Sequence, residues 1–158
     1  MGSCRVSTIN LVRIAYESKI NKRKYIDILK DRVLLDCKAL YSMRHILKRN
    51  IEKGLLPNYQ EGAVELEKQF CTIGILGLYE VMDLFGFINT DEFGYKSYSD
   101  EGIEFASKIL DTINEVKDSF ECDFTFNVES IPAENCAGVI CNADNLLFEQ
   151  NKYFIYSN

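Results

Sequence analysis

Tryptophan is absent from the 158 residues, histidine occurs once and proline twice. With so little proline, and nine glycines scattered along the chain, neither a collagen-like repeat nor a low-complexity disordered tract fits. No run approaches the roughly 18 apolar residues that a membrane-spanning helix needs. No period of about 20–50 residues recurs, which excludes a solenoid. Arg5 and Arg13 interrupt the first segment, so it does not read as a secretory signal.

Positive charge is also short. The formal net charge is −6, without the cationic footprint that a phosphate backbone requires, so nucleic acid is not an expected partner. The one basic cluster, Lys19 to Lys24, reads as the solvated start of a helix because acidic residues follow at once. Motifs of common enzyme classes are missing too: there is no G-x-S-x-G elbow, no Walker loop, no H-E-x-x-H and no C-x-x-C. The six cysteines (Cys4, Cys37, Cys71, Cys122, Cys136, Cys141) therefore read as reduced, mostly buried thiols of a cytoplasmic protein, with no metal site.

What is present suits one globular domain: 47% hydrophobic residues to fill a core and 27% charged residues to solvate the outside. Arg5 to Val12 alternates as a strand with apolar residues on both faces. From Lys22 to Lys53 apolar residues recur three or four apart, predicting a long helix that stops at Gly54 and Pro57. His45 lies in that helix among Arg44, Lys48 and Arg49 and reads as a surface residue. Phe70 to Ile75 predicts a short buried strand, followed by a helix from Leu78 to Leu84 that stops at Gly86. The Gly74–Gly77 spacing is not a dinucleotide fingerprint.

Asn89 to Tyr98 reads as a polar loop. Ser99 is a good N-cap for a helix whose stripe runs from Ile103 to Val116. Asp123 to Ser130 alternates as a strand, Glu134 to Cys141 suits a short helix after Pro132, and Lys152 to Ser157 closes the chain as a fourth strand. The expected class is α/β, a mainly parallel sheet with crossover helices. Open edges on so small a sheet point to a missing partner.

In such sheets sites lie at the carboxyl ends of the strands. Here those ends are Asn10, the turn from Thr72 to Gly77, the turn from Ser130 to Asn135, and Ser157 with Asn158. S-I-P-A-E-N at 130–135 takes a strand straight into a helix. Two readings stay open for it: the N–H groups of Ala133 to Asn135 bind an anion, or Glu134 simply caps the helix. Glu17, Glu80 and Glu129 are acid–base candidates that nothing in the sequence places together.

Three segments carry a family resemblance. G-S-C-R-V-S-T-I-N-L-V-R-I-A (Gly2 to Ala15), F-C-T-I-G-I-L-G-L-Y-E (Phe70 to Glu80) and F-N-V-E-S-I-P-A-E-N (Phe126 to Asn135) resemble the later barrel strands of anaerobic, class III ribonucleoside-triphosphate reductases. The terminal Y-F-I-Y-S-N is similar to a later strand of that family, and order and spacing run through the whole chain. Val12 stands where the family usually has proline.

The resemblance implies part of a ten-stranded glycyl-radical barrel, with 1–158 as a single partial-barrel domain. It implies a ribose contact at Asn10 and substrate-phosphate contacts at Ser130, Pro132, Ala133, Glu134 and Asn135. It also implies a ribonucleoside triphosphate as ligand, and as partners the remaining reductase polypeptide and, through it, a radical-SAM activase. A glycyl radical, a structural zinc and nucleotide effectors belong to the complete family proteins, and none is expected in this segment. The register sets Cys4 after the finger loop, so no catalytic residue is assigned. The expectation is a reductase segment inactive alone. The alternative is a non-catalytic nucleotide-binding or interaction protein derived from the same fold. A glycyl-radical enzyme acting on acyl or diol substrates fits the T-I-N-L and N-V-E-S-I-P-A-E segments less well.

Overall fold

The computed structural model describes residues 2–130 and 134–157, at 134 and 135 for the backbone alone. In chain order the elements are β1 (Ser3–Asn10), α1 (Leu11–Glu17), α2 (Lys22–Glu52), α3 (Pro57–Gln60), a 3-10 turn (Leu66–Lys68), β2 (Phe70–Leu76), α4 (Leu78–Leu84), β3 (Ile88–Thr90), β4 (Lys96–Tyr98), α5 (Asp100–Ser119), β5 (Phe126–Ser130) and α6 (Glu134–Leu147). β1, β2 and β5 form a parallel sheet in that spatial order. The expected α/β class with helical crossovers is the class observed.

Local chemistry sets the boundaries. Asn21 caps α2 by accepting from Lys24 N, and Ser99 caps α5 by accepting from Gly102 N. Gly54 and Gly86 follow their helices at φ +70° and +76°, a left-handed backbone in which a side chain would be strained. α2 packs over β1 and β2 and against α5. Its stripe of Tyr25, Leu29, Val33, Cys37 and Leu40 is fully buried. Tyr25, Phe85 and Phe105 meet edge-on or tilted at 4.9–5.8 Å, and Lys22 lies over the Phe87 ring while pairing with Glu101. The basic cluster thus starts a helix, as its sequence context predicts.

Four expectations change. β1 ends at Asn10 rather than Val12, because the Asn10 side chain accepts from Arg13 N and starts a helix there. The stretch 89–98 contains a small antiparallel hairpin, β3 with β4, whose turn is held by Asp91 Oδ1 accepting from Phe93 N and Tyr95 N. α6 runs on to Leu147. Lys152 to Ser157 is not a strand, because side chains take the backbone groups a ladder would use. Asn145 Nδ2 and Cys141 Sγ donate to Tyr153 O, and Ser157 N donates to Glu80 Oε1. The described sheet therefore has three strands instead of the four expected, with β1 and β5 at its edges.

Candidate functional site

Register brings three of the expected strand ends together. Asn10 lies opposite Leu76, and Ile75 lies opposite Ser130, so Asn10, the Leu76–Gly77 turn and Ser130 share the carboxyl edge of the sheet. The segment 152–157 crosses this edge: Gly77 N donates to Ser157 O at 2.8 Å. Ser157 in turn gives its N–H and its hydroxyl to the two oxygens of buried Glu80, at 2.9 and 2.8 Å. Gly77 has φ +86°, and a Cβ there would lie 2.3 Å from Val12 Cγ2. Only glycine permits both the turn and the contact with α1.

Asp144, on α6, is fully buried. Its Oδ2 accepts from Asn10 Nδ2 at 2.6 Å and from Tyr156 Oη at 3.0 Å, while its Oδ1 accepts from Arg13 Nε at 2.7 Å and Nη2 at 2.6 Å. A buried carboxylate needs this much donation to offset desolvation. Burial, and next the Asp144 charge, push the Tyr156 hydroxyl well above its ordinary range. The same two causes, in the same order, raise Tyr16 and Cys141.

The network also fixes the Asn10 amide. Its Oδ1 faces Arg13 N and one Nδ2 hydrogen faces Asp144, and among the described residues one hydrogen and one lone pair of this half-buried side chain take no partner.

Beside this, a cavity of about 300 Å³ opens between Gly77, Tyr79, Tyr98, Leu110, Ser130 and Ser157. Ser130 is exposed at its rim. Burial, then the Glu80 carboxylate, raise the hydroxyl of Tyr98, one of the lining residues. β5 ends at Ser130 and α6 begins at Glu134. Pro132 and Ala133 lie outside the described residues, as do the side chains of Glu134 and Asn135.

The glutamates singled out as acid–base candidates are not gathered. Glu17 pairs with Arg32 at 2.9 Å, Glu129 accepts from Asn127, and only Glu80 reaches the edge, where Ser157 occupies both its oxygens. His45 is exposed on α2 and bonds Tyr41 O. Among the described residues no three His, Cys, Asp or Glu side chains gather as metal ligands, so those residues do not fit a structural zinc. No helix is long and apolar enough to cross a membrane among the described residues.

Sequence reasoning missed Asp144, Arg13 and Tyr156. The signal was present: Ala137, Cys141 and Asp144 fall on one stripe of α6, with an acid at the buried position. Ending that helix at Cys141 hid it.

A parallel α/β sheet with its polar network at the carboxyl edge defines a protein of the open or barrel α/β type. A family profile of anaerobic ribonucleoside-triphosphate reductases matches residues 1–158, and the chain belongs to that family. Among solved structures, the anaerobic ribonucleotide reductase from Thermotoga maritima with dATP bound in the specificity site is similar at 42% identity and a TM-score of 0.94. That match covers 99% of this chain and 27% of that one. The same enzyme in complex with dATP and CTP gives 41% identity, a TM-score of 0.94, and 99% and 26% coverage. The chain thus spans about a quarter of the length of the reductases it matches. Comparison with curated protein sequences gave no match.

Proposed function

We propose that this chain forms a single partial-barrel domain, a segment of an anaerobic reductase. It supplies ribose and phosphate contacts for the radical reduction of ribonucleoside triphosphates. The observation that carries this reading is the shared carboxyl edge of Asn10, the Gly77 turn and Ser130, in a chain of this family.

Asn10 keeps an amide hydrogen and a lone pair for a ribose hydroxyl, and Asp144 holds the amide so that it need not be ordered on binding. On the phosphate side stand Ser130, Pro132, Ala133, Glu134 and Asn135, the contacts that the family resemblance implies, and α6 begins at Glu134. The first N–H groups and the dipole of that helix favour an anion. A solved relative holds CTP and dATP, which makes a nucleoside triphosphate the ligand class to test.

Hydrogen abstraction from ribose needs a thiyl radical, generated in this family from a glycyl radical. The 158 residues contain neither a finger-loop cysteine nor a glycyl-radical motif in the register that matches the family. Radical chemistry also requires reacting atoms held close and shielded from water. The remaining reductase polypeptide, and through it a radical-SAM activase, are therefore the partners of this reading. The outer edges of β1 and β5, which pair with no strand among the described residues, and the exposed Leu35, Met43 and Ile46 on α2 support a further polypeptide layer. Buried free thiols accord with a reducing compartment, the cytoplasm.

The test is turnover of CTP under anaerobic conditions with an activase and a chemical reductant. The chain alone yields no deoxyribonucleotide, and adding the remaining reductase polypeptide yields it. Product from the chain and activase alone would overturn the assignment of a segment.

A further inference from the structure

At the amino end of the sheet, opposite the edge described above, two cysteines meet. β1 and β2 run parallel with a register irregularity between Ser3 and Arg5, and Cys4 stands in it, beside Cys71. Their sulfurs are 3.6 Å apart. Arg44, a buried residue of α2, donates from Nη1 to Cys4 Sγ at 3.3 Å. It is held there by Gln69 O at 3.0 Å, by Leu66 O at 2.7 Å and by the face of Phe124 at 4.6 Å.

The two thiols are unlike. Cys4 is 9% exposed and faces the guanidinium, whereas Cys71 is fully buried. Burial, and then the neighbouring Cys4, push the Cys71 thiol up to about 12, with Arg44 acting the other way. A disulfide requires sulfurs at about 2.05 Å, so closure asks for a contraction of about 1.5 Å between adjacent strands. Small rotations of both side chains at a strand irregularity can supply that.

We propose that Cys4 and Cys71 form an oxidisable dithiol that hydrogen peroxide converts into a disulfide tying β1 to β2. The Cys4 sulfur, the less buried of the two, attacks the peroxide. An S–O bond forms, the O–O bond breaks, and the departing hydroxide leaves as water with the Cys4 proton. The Cys71 sulfur then attacks the sulfenic sulfur of Cys4. The S–S bond forms, the S–O bond breaks, and hydroxide leaves as a second water with the Cys71 proton. The two thiols lose two electrons and the peroxide gains them. No other pair of thiol sulfurs is in contact among the described residues, so the product is specific to these strands.

The experiment treats the full chain with a small excess of hydrogen peroxide, blocks remaining thiols by alkylation, and reads intact mass and cross-linked peptides. Against the untreated chain alkylated in the same denaturing conditions, the expected result is two fewer alkyl groups and a further mass loss of about 2 Da, a single linkage joining the Cys4 and Cys71 peptides, and recovery on reduction. Cys4→Ser abolishes the loss. Cys71→Ser replaces it with a gain of oxygen on Cys4. Cys136→Ser leaves it intact. Complete alkylation of both cysteines in the oxidised unsubstituted chain overturns the proposal without relying on any variant. So does a linkage through another cysteine, or oxygen added to Cys4 while Cys71 remains free.

Discussion

Asn10 Nδ2 lies 2.6 Å from Asp144 Oδ2, a bond between residues 134 apart in the chain. It joins the end of the first strand to the last helix, and through Tyr156 to the segment that crosses the sheet edge. The ribose-side residue of the proposed site is thus held by the chain's own buried acid.

Removing that acid has a predictable cost. Asp144→Ala leaves Arg13, Asn10 and Tyr156 without their acceptor and should lower unfolding stability by about 3 kcal/mol. Asn10→Ala loses one bond and a helix cap and should cost about 1–2 kcal/mol. Denaturant titration of both variants and the double variant should give a sum larger than the double, because they share a bond. Strict additivity would mean that the two residues do not interact.

Gly77→Ala combines a left-handed backbone with a Cβ only 2.3 Å from Val12 Cγ2. The expected loss is about 2–3 kcal/mol. Val12→Ala in the Gly77→Ala background should recover part of it by removing the clashing methyl, though Val12→Ala alone destabilises a buried position. If Val12→Ala costs as much in that background as alone, the close approach is not the cause.

Asp36 is buried on α2, accepts from Ser7 Oγ, and its other oxygen has no partner among the described residues. Burial raises its carboxyl above the ordinary 3.8, and the Ser7 bond only partly opposes this. A carboxyl raised on folding contributes stability below its unfolded value and loses it as pH rises through the folded one. Asp36→Asn does not titrate. Its stability relative to the unsubstituted chain should therefore rise from about pH 3 to about pH 7, and a flat or falling difference would contradict the assignment.

Much of this was legible in the sequence, for physical reasons. Ser99 and Gly86 mark helix ends because capping and left-handed backbone demand particular side chains. The strand at Phe70–Leu76 is legible as a short apolar run. The last segment was misread because alternation in K-Y-F-I-Y-S resembles a strand, while its backbone bonds go to Asn145, Cys141 and Glu80, which no local pattern reports. Arg44 enters the sequence reading only as a neighbour of the surface residue His45, although it shares the stripe of Cys37, Leu40 and Leu47 and is buried. Asn10 and Ser130 were singled out by their place at strand ends. Asp144, which accepts from Asn10, became visible only when long-range contacts placed it.

The most direct test of the account is titration calorimetry of the chain with CTP in magnesium-containing buffer. The account predicts a saturable heat for the unsubstituted chain, abolished in Ala133→Asp, which adds a carboxylate to the segment that the resemblance assigns to the substrate phosphates, with the fold retained by circular dichroism. No heat at millimolar CTP, or binding unchanged in Ala133→Asp, would contradict the claim that this chain carries the phosphate side of the substrate site.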